Sequence, residues 1–272
     1  MTDLSAKHDA AVTDRAILTG SAYNTGKDLA ARQSIYRWQE PRYDLPGIVV
    51  EQLRRMRGTV VDVGCGNGKF IGRLKKERPD LRLIGLDVSP GILADVPGPV
   101  AVADAVHLPL PSASVNSVLA MHMLYHVHDI PAAINELSRV VKGGGRVIAS
   151  TNSERDKVEL DHLWERAAGD VLGVDRGPTR ISLSARFSLE KAAGLLRVEF
   201  ADVEMIELPG TITVRNPDPV IAHMNSYRAW ANQHDVPFEA TIERAREIVT
   251  GQIERVGAFE ITCLGGILIC AR

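Results

Sequence analysis

A glycine-rich stretch near residue 65 constrains the fold of this chain more than any other feature. Residues 60–63 form an apolar run with three β-branched valines, and a helical pattern begins at Lys69. Between them lie three glycines spaced two apart, Gly64, Gly66 and Gly68. Glycine permits left-handed backbone and close approach of a ligand, and a helix N-terminus presents free N–H groups. The stretch therefore predicts a strand, a tight turn and a helix that cradle a nucleotide-type cofactor.

Two further apolar runs end in carboxylates. Residues 83–86 are followed by Asp87, and residues 100–103 are followed by Asp104. An acid at the first position can accept hydrogen bonds from both hydroxyls of a ribose and repels a 2′-phosphate, which disfavours NADP. The acid at the second position suits the amino group of an adenine whose ring lies against small apolar side chains, here Ala105 and Val106.

The order of these motifs resembles that of the class I S-adenosylmethionine-dependent methyltransferases. The resemblance covers residues 58–150 and is carried by Asp62-x-Gly64-x-Gly66-x-Gly68, Asp87, Asp104, a fourth strand over 114–122, and a helix, glycine turn and fifth strand over 131–149. Residues 121–129 resemble the small-molecule (type 11) branch. The family implies an α/β fold with a Rossmann-like, doubly wound, seven-stranded and mostly parallel sheet, an antiparallel last strand and a helical lid.

The resemblance also implies S-adenosylmethionine as the cofactor and assigns residues to it. Asp62 holds the turn or reaches the methionine amino group, Asp87 accepts the ribose hydroxyls, and Asp104 contacts the adenine. The other predicted contacts are Tyr23, Arg32, Tyr36, Gly64, Cys65, Gly66, Gly68, Val88, Ala105, Val106 and Met121. Arg32 and Tyr36 are four residues apart on one helical face and would reach the cofactor carboxylate and cover the cofactor. An exposed arginine and a core tyrosine fit the same spacing equally well.

Two histidines follow the fourth strand, where residues of the family face the transferable methyl group. His122 and His126 are therefore the predicted catalytic residues. An imidazole there would take a proton from a hydroxyl or amine as it attacks. Both side chains also fit a structural role in a loop or helix, and an amine acceptor needs no base. The sequence shows no metal-ligand spacing, so we expect no metal.

The pattern outside the cofactor region predicts three parts. Residues 1–45 form an N-terminal helical cover, residues 46–215 and 257–272 form the core, and residues 216–256 form a helical lid insertion. We expect Asp28 to cap a helix that runs to Trp38, and Gly265 and Gly266 to separate two final strands. Three aromatic residues either line an apolar substrate pocket or seal the lid, and these are Trp164, Tyr227 and Trp230.

Composition narrows the class of protein. The 272 residues are 45% hydrophobic and 24% charged, as in an ordinary globular protein. A net charge of −2 disfavours a nucleic-acid partner. The sequence contains no apolar run of about 18 residues that would span a membrane. The N-terminus lacks the apolar segment of a signal peptide, and three cysteines fit a reducing environment. We therefore expect a cytoplasmic protein, with a homo-oligomer left open.

The predicted function is methyl transfer to an O, N or C nucleophile of a small molecule such as a secondary metabolite. One alternative is an NAD-dependent oxidoreductase on a similar sheet, which the GxGxG spacing and the third acidic strand end disfavour. Another is a non-catalytic regulatory protein that retains the cofactor fold. An RNA or DNA methyltransferase is disfavoured because the chain lacks a basic surface and an Asn-Pro-Pro-Tyr-type stretch after the fourth strand.

Overall fold

The computed structural model describes residues 2–233 and 235–272, and among them eight strands form one sheet. The strands are β1 (Gln39–Glu40), β2 (Gly58–Val63), β3 (Leu81–Asp87), β4 (Val100–Val102), β5 (Val115–Met121), β6 (Val141–Asn152), β7 (Asp202–Val214) and β8 (Phe259–Ala271). Their order in the sheet is β1-β7-β8-β6-β5-β2-β3-β4. The pairs β2–β3, β2–β5, β3–β4 and β5–β6 are parallel, whereas β8 is antiparallel to β6. The predicted mostly parallel α/β sheet is confirmed, and the two-residue β1 adds an eighth strand antiparallel to β7.

Eleven α-helices are described. They are α1 (Thr2–Thr13), α2 (Arg15–Ile17), α3 (Lys27–Ser34), α4 (Leu45–Gln52), α5 (Lys69–Glu77), α6 (Pro90–Leu93), α7 (Ile130–Val140), α8 (Val158–Leu172), α9 (Leu189–Leu196), α10 (Asp218–Asn225) and α11 (Phe238–Val256). Short 3₁₀ turns cover Ile35–Trp38, Leu124–His126, Ala185–Phe187 and Arg228–Gln233, and a π turn covers Leu18–Ala22. None of the helices described is both long and apolar enough to cross a membrane.

The chain divides into two compact units, each assembled from three segments. The sheet unit consists of residues 43–154, 183–208 and 265–272, and the helical unit consists of the described parts of residues 1–42, 155–182 and 209–264. This division differs from the predicted one. Residues 155–182, which carry α8, and residues 209–215 and 257–264 of the predicted core group with the helical unit, and residues 43–45 of the predicted cover group with the sheet unit. The segment predicted as a lid is helical, since it carries α10 and α11.

The sheet unit owes its core to near-continuous buried runs on the parallel strands and to amphipathic helices. Helix α5 shows this clearly, because its apolar positions recur at helical spacing and its buried face is made of Phe70, Ile71 and Leu74. Asp129 begins α7 as a cap, and its carboxylate accepts a hydrogen bond from the Ala132 N–H at 2.9 Å. Helix α7, which precedes β6, therefore begins at a residue type that favours a helix N-cap.

The helical unit has its own apolar core, in which Trp164 is 1% exposed. Its ring centre lies 5.7 Å from that of Phe238, so α8 and α11 meet at aromatic residues. Trp230 is fully buried and its indole N–H donates to the Ala11 carbonyl at 3.1 Å. Both tryptophans are thus part of the packed interior of this unit.

Two expectations about local structure were wrong. Gly265 and Gly266 do not separate two strands, because both lie inside the continuous β8. A Cβ on Gly266 would lie 2.8 Å from Leu189 Cδ2 and 3.0 Å from the Ile206 carbonyl oxygen, so this glycine is required for close packing. The helix expected to run to Trp38 ends as an α-helix at Ser34 and continues as a 3₁₀ turn, and its N-cap is Gly26, not Asp28.

Candidate functional site

The glycine turn after β2 adopts a backbone that only glycine accepts without strain. Gly64, Gly66 and Gly68 have φ angles of 68°, 53° and 72°. A Cβ on Gly64 would lie 2.6 Å from Met123 Cβ, and one on Gly68 would lie 2.7 Å from Val96 Cγ1. Gly68 is also the N-cap residue of α5, so the turn leads directly to the free N–H groups of a helix.

Hydrogen bonds from the turn to β3 hold it in place. The N–H groups of Gly64 and Cys65 both donate to the Leu86 carbonyl, at 2.7 Å and 3.0 Å. The Gly66 N–H donates to Asp87 Oδ2 at 2.9 Å. The Cys65 thiol is buried, and burial together with the nearby Asp62 and Asp87 raises its pKa. Its small side chain therefore packs behind the turn as an unreactive thiol.

Asp62, near the end of β2, carries the most unusual polar group of the site. The residue is 2% exposed, and neither carboxylate oxygen has a hydrogen-bond partner among the described residues. Burial, and after it the negative charge of Asp87, raises the pKa of the Asp62 carboxyl to about 8. A buried carboxyl without a partner is costly to maintain. The position fits a ligand group that donates hydrogen bonds or carries positive charge.

Asp87 ends β3, where the sequence placed it. In addition to the Gly66 N–H, its carboxylate accepts the Ser89 N–H at 2.9 Å on Oδ1. Burial raises the pKa of Asp87, and the backbone N–H groups of Ser89, Gly66 and the adjacent Val88 oppose that rise. Each carboxylate oxygen has two lone pairs, so acceptor capacity remains for ligand hydroxyls.

The third acid lies just past β4. Asp104 accepts the Val106 N–H on Oδ1 at 3.2 Å and forms a β-bridge with His107. Ala105 is buried and Val106 is half-buried, so small apolar side chains do accompany this acid. Because β2, β3 and β4 are neighbouring parallel strands, their three acids lie at the same edge of the sheet.

The residues after β5 lie at that edge too. Met121 ends the strand and is buried, and His122 follows with a left-handed φ of 54°, its N–H donating to the Ser150 carbonyl at 3.1 Å. Such a backbone costs about 1–3 kcal/mol for a residue other than glycine. The Met123 side chain packs on Gly64, and the His126 ring lies 4.6 Å from the Tyr125 ring. The turn that carries both predicted catalytic histidines thus contacts the glycine turn.

Met123 is a site residue that the sequence analysis missed. No periodicity marks it, and its only signal was a position two residues beyond a strand end. The space that Gly64 leaves open is filled by this methionine, so the requirement for glycine at position 64 comes in part from a neighbour far away in the sequence.

The three predicted cofactor contacts from the N-terminal segment belong to the helical unit. Arg32 is 7% exposed and its Nη1 donates to the Ser226 carbonyl at 2.7 Å, while its guanidinium lies over the Tyr23 ring at 5.0 Å. The Tyr36 hydroxyl accepts a hydrogen bond from Lys157 Nζ at 2.7 Å. Their roles in cofactor binding stay predictions. Within the described ranges no three His, Cys, Asp or Glu side chains converge in a way that would hold a metal ion.

The same region of the chain is similar to known proteins. Residues 61–149 match the family model described as "Methyltransferase domain". The malonyl-(acyl-carrier protein) O-methyltransferase of Hahella chejuensis is 36% identical over 117 residues, which cover 40% of this chain and 42% of that protein. The tRNA (carboxymethyluridine(34)-5-O)-methyltransferase of Arabidopsis thaliana is 34% identical over 144 residues, or 48% of this chain and 35% of that protein. The match spans less than half the length of either relative.

Solved structures of similar fold cover nearly the whole chain. One of them is that of phosphoethanolamine N-methyltransferase 2 from Haemonchus contortus in complex with S-adenosyl-L-methionine, with a TM-score of 0.56, 14% identity, and coverage of 95% of this chain and 59% of that one. At this identity the similarity shows the fold alone.

Proposed function

We infer that the chain, which belongs to the class I S-adenosylmethionine-dependent methyltransferases through its residues 61–149, transfers a methyl group to an O, N or C nucleophile of a small molecule. The observation that carries this proposal is the edge of the sheet unit where a left-handed glycine turn meets three acids. Among these acids, Asp62 is buried and its carboxylate has no hydrogen-bond partner among the described residues. This is expected of an acid that accepts a hydrogen bond from a ligand.

Each predicted contact has a chemical reason in the geometry. Asp62 would accept from the ammonium group of the cofactor, which supplies the donor and the positive charge that the carboxyl lacks. Asp87 would accept the ribose hydroxyls with its remaining lone pairs. Asp104 would accept the adenine amino group, and the glycine turn would present its backbone to the ligand.

When bound, S-adenosylmethionine supplies a methyl group on a sulfonium, which is already activated for attack. The protein then contributes mainly orientation and exclusion of water. Holding two reactants in line is worth roughly 7–11 kcal/mol. His122 and His126, on the turn beside Gly64, would take a proton from a hydroxyl acceptor. We also propose that residues 216–256 act as a lid and that their amide hydrogen exchange slows when cofactor binds.

Calorimetry with S-adenosylhomocysteine, S-adenosylmethionine and NAD⁺ tests the cofactor. We expect both sulfur-containing ligands to bind and NAD⁺ to show no heat. Binding of NAD⁺ alone would replace the proposal with an oxidoreductase on a similar sheet.

Transfer of a labelled methyl group tests the reaction and the class of acceptor. The protein is incubated with methyl-labelled S-adenosylmethionine and either a small-molecule metabolite extract or bulk tRNA, and we expect label in the small-molecule fraction. Label in tRNA alone would assign a nucleic-acid acceptor, which the net charge of −2 disfavours. Tight cofactor binding without transfer to any acceptor would indicate a regulatory protein.

The identity of the base is tested once an acceptor is found. A general base contributes about 10²–10⁴-fold to the rate, so His122→Ala or His126→Ala should lower kcat by that amount at unchanged cofactor affinity. His128→Ala, on an exposed residue of the same loop, is the matched control. Equal rates in all three variants would leave orientation as the whole of catalysis.

A further inference from the structure

Three basic side chains of the helical unit surround one aromatic ring. The guanidinium carbons of Arg32 and Arg180 lie 5.8 Å and 4.9 Å from the centre of the Tyr227 ring. The centre of the His223 ring lies 5.6 Å from the same point. These residues come from distant parts of the chain, and we call Arg32, Arg180, His223 and Tyr227 the Tyr227 cluster.

The cluster is buried, yet it holds hydrogen-bond donors that nothing accepts. Arg32 is 7% exposed, His223 is 3% exposed, and the Arg180 side chain is 8% exposed. Among the described residues, Arg32 Nη2 and Arg180 Nη1 have no hydrogen-bond partner. Buried polar groups are nearly always paired, so unused donors at one place indicate a missing acceptor.

The charges around the cluster are also out of balance. Asp161 Oδ1 accepts from Nε and Nη2 of Arg180, at 2.9 Å and 2.7 Å, and leaves its Nη1 unused. The partners of Arg32 among the described residues are neutral, namely the Ser226 carbonyl and the faces of Tyr23, Tyr227 and Trp230. A buried cation is normally paired with an anion. The cluster therefore carries one uncompensated positive charge.

The state of His223 is consistent with a positive local field. Burial, followed by the charges of Lys157, Arg180 and Arg32, lowers the pKa of His223 well below its usual value. A backbone hydrogen bond with Arg32 opposes this lowering. An anion placed among these groups would oppose the positive charges and favour the protonated ring.

We propose that the Tyr227 cluster binds the oxyanion of a small molecule, a carboxylate or a phosphate, through Arg32, Arg180 and His223. Planar guanidinium groups bind both anions with paired hydrogen bonds, and the aromatic faces hold the two arginines in place. Taking this anion to be part of the methyl acceptor rests on the proposed function, whereas the binding itself does not.

Histidine NMR measures the binding directly, without cofactor or turnover. Sodium acetate and inorganic phosphate are titrated into the whole chain at constant ionic strength, with acetamide as the neutral control. We expect saturable shifts of the His223 ring and an upward shift of its pKa in the presence of the anion that binds, because the anion favours the protonated ring. The tighter of the two anions identifies the ligand class. A His223 signal that no anion moves overturns the proposal and assigns the unused donors to ordered water.

Variants test which side chains bind. Arg32→Gln and Arg180→Gln should each weaken anion binding by roughly tenfold or more, because each removes a charged hydrogen bond. The conservative Arg32→Lys, which keeps the charge, should weaken it less. The matched control is Arg228→Gln, whose arginine is 53% exposed and paired with Glu239 in the same unit. If Arg228→Gln weakens anion binding equally, the effect comes from the net charge of the protein and the assignment is overturned.

The affinity of the same variants for S-adenosylhomocysteine separates an acceptor site from a cofactor contact. We expect Arg180→Gln, whose arginine is not among the predicted cofactor contacts, to bind the cofactor product as the unchanged protein does. Loss of both affinities together would mean that the arginines hold the cofactor carboxylate, and the new site would be withdrawn. Anion binding without any methyl transfer would leave the site standing and remove only its link to the proposed function.

Discussion

In the sheet unit the buried charged side chains of the candidate site are acids, whereas in the helical unit they are mainly bases. Asp62 and Asp87 are 2% and 9% exposed, and Arg32 and Lys157 are 7% and 4% exposed. The acids are neighbours on parallel strands, and the charge of Asp87 raises the pKa of Asp62. Lys157 instead has Asp156 beside it as a counter-ion.

This difference determines whether changing a buried charge affects the stability of the protein or its affinity for a ligand. A buried ion pair is compensated within the protein, so its loss is felt in the free energy of unfolding. A buried acid without a partner destabilises the empty protein and is compensated only by a ligand. The helical unit should therefore lose stability, and the sheet unit should lose affinity, when their respective charges are changed. Arg32 is an exception, since it is a base of the helical unit with no counter-ion in the part of the chain that the structure describes.

The largest effect is expected from Lys157→Met in the helical unit. Lys157 Nζ donates to Asp156 at 2.5 Å and to Tyr36, and the variant leaves the Asp156 carboxylate buried without its cation. We expect a loss of about 3–5 kcal/mol in the free energy of unfolding. Denaturation followed by tryptophan fluorescence measures it in the right unit, because Trp38, Trp164 and Trp230 all lie there.

Lys7→Met is the control for that variant. Lys7 pairs with Asp235 on the surface of the same unit, where the two side chains are 48% and 68% exposed, and we expect a change within about 0.5 kcal/mol. Equal stability of both variants would break the comparison, since the buried pair would then contribute no more than a surface pair.

Next in size is Gly64→Ala in the sheet unit. The new Cβ would lie 2.6 Å from Met123 Cβ in a backbone with φ of 68°, so the turn must move. We expect affinity for S-adenosylhomocysteine to fall at least about 100-fold, or roughly 2.7 kcal/mol. Gly72→Ala is the matched control, because a Cβ there meets nothing within 4 Å and α5 gains about 0.5–1 kcal/mol of helix propensity. Undiminished affinity of Gly64→Ala would make the turn purely structural.

Asp87→Asn tests whether an acid of the sheet unit contributes to cofactor affinity. The amide removes the charge and presents an NH₂ group to either the Gly66 or the Ser89 N–H, both of which now donate to the carboxylate. We expect calorimetry to show cofactor affinity weakened by about 1.5–3 kcal/mol. The exposed Asp80→Asn, which alters an ion pair with Arg78, should bind normally. A folded Asp87→Asn protein with unchanged affinity would contradict the ribose assignment.

The smallest expected effect is the change in ligand affinity per pH unit, which comes from ionisation of Asp62. Its pKa of about 8 lies above the ordinary value of 3.8, so the acid is protonated in the empty protein and ionises only as the pH rises through about 8. The stability of the empty protein therefore falls between about pH 4 and 8. Affinity for a ligand with an ammonium group should rise about tenfold per pH unit up to 8 and then level off.

Dissociation constants for S-adenosylhomocysteine at pH 6, 7 and 8 check this dependence. Asp62→Asn cannot ionise, so its affinity should be weak and nearly independent of pH over that range. A flat profile in the unchanged protein would show that the Asp62 carboxyl takes no part in binding.

The sheet unit was predictable from the sequence because its signals are local. A run of β-branched residues, a glycine at each left-handed position and an acid at each strand end all lie within a few residues of one another. The order of those motifs then determined the order of the strands. The predicted strand break at Gly265 and Gly266 was wrong because the sequence does not distinguish a glycine needed for close packing from a glycine needed for a turn.

The Tyr227 cluster could not be predicted in the same way. Arg32, Arg180 and His223 come from three distant segments, and each one read alone suits an ordinary helix or loop. The sequence pattern identified Tyr227 and Trp230 only as aromatic residues that line a pocket or seal the lid. Lys157 likewise reads as a surface residue before a helix, and its burial depends on contacts with Tyr36 and Asp156 that no local pattern contains.

The place of β8 in the sheet has a consequence for the order of assembly. Arg146 of β6 pairs with Ala271, and Asn152 pairs with Gly265, so this edge of β6 is closed by a segment remote in the sequence. The parallel strands from β2 to β6 can collapse together beforehand, but the search that closes so long a loop is slow. Until that search ends, β6 exposes unpaired N–H and carbonyl groups on an apolar strand, the kind of edge to which another chain can add. Arrival of β8 is thus the step at which productive folding competes with aggregation.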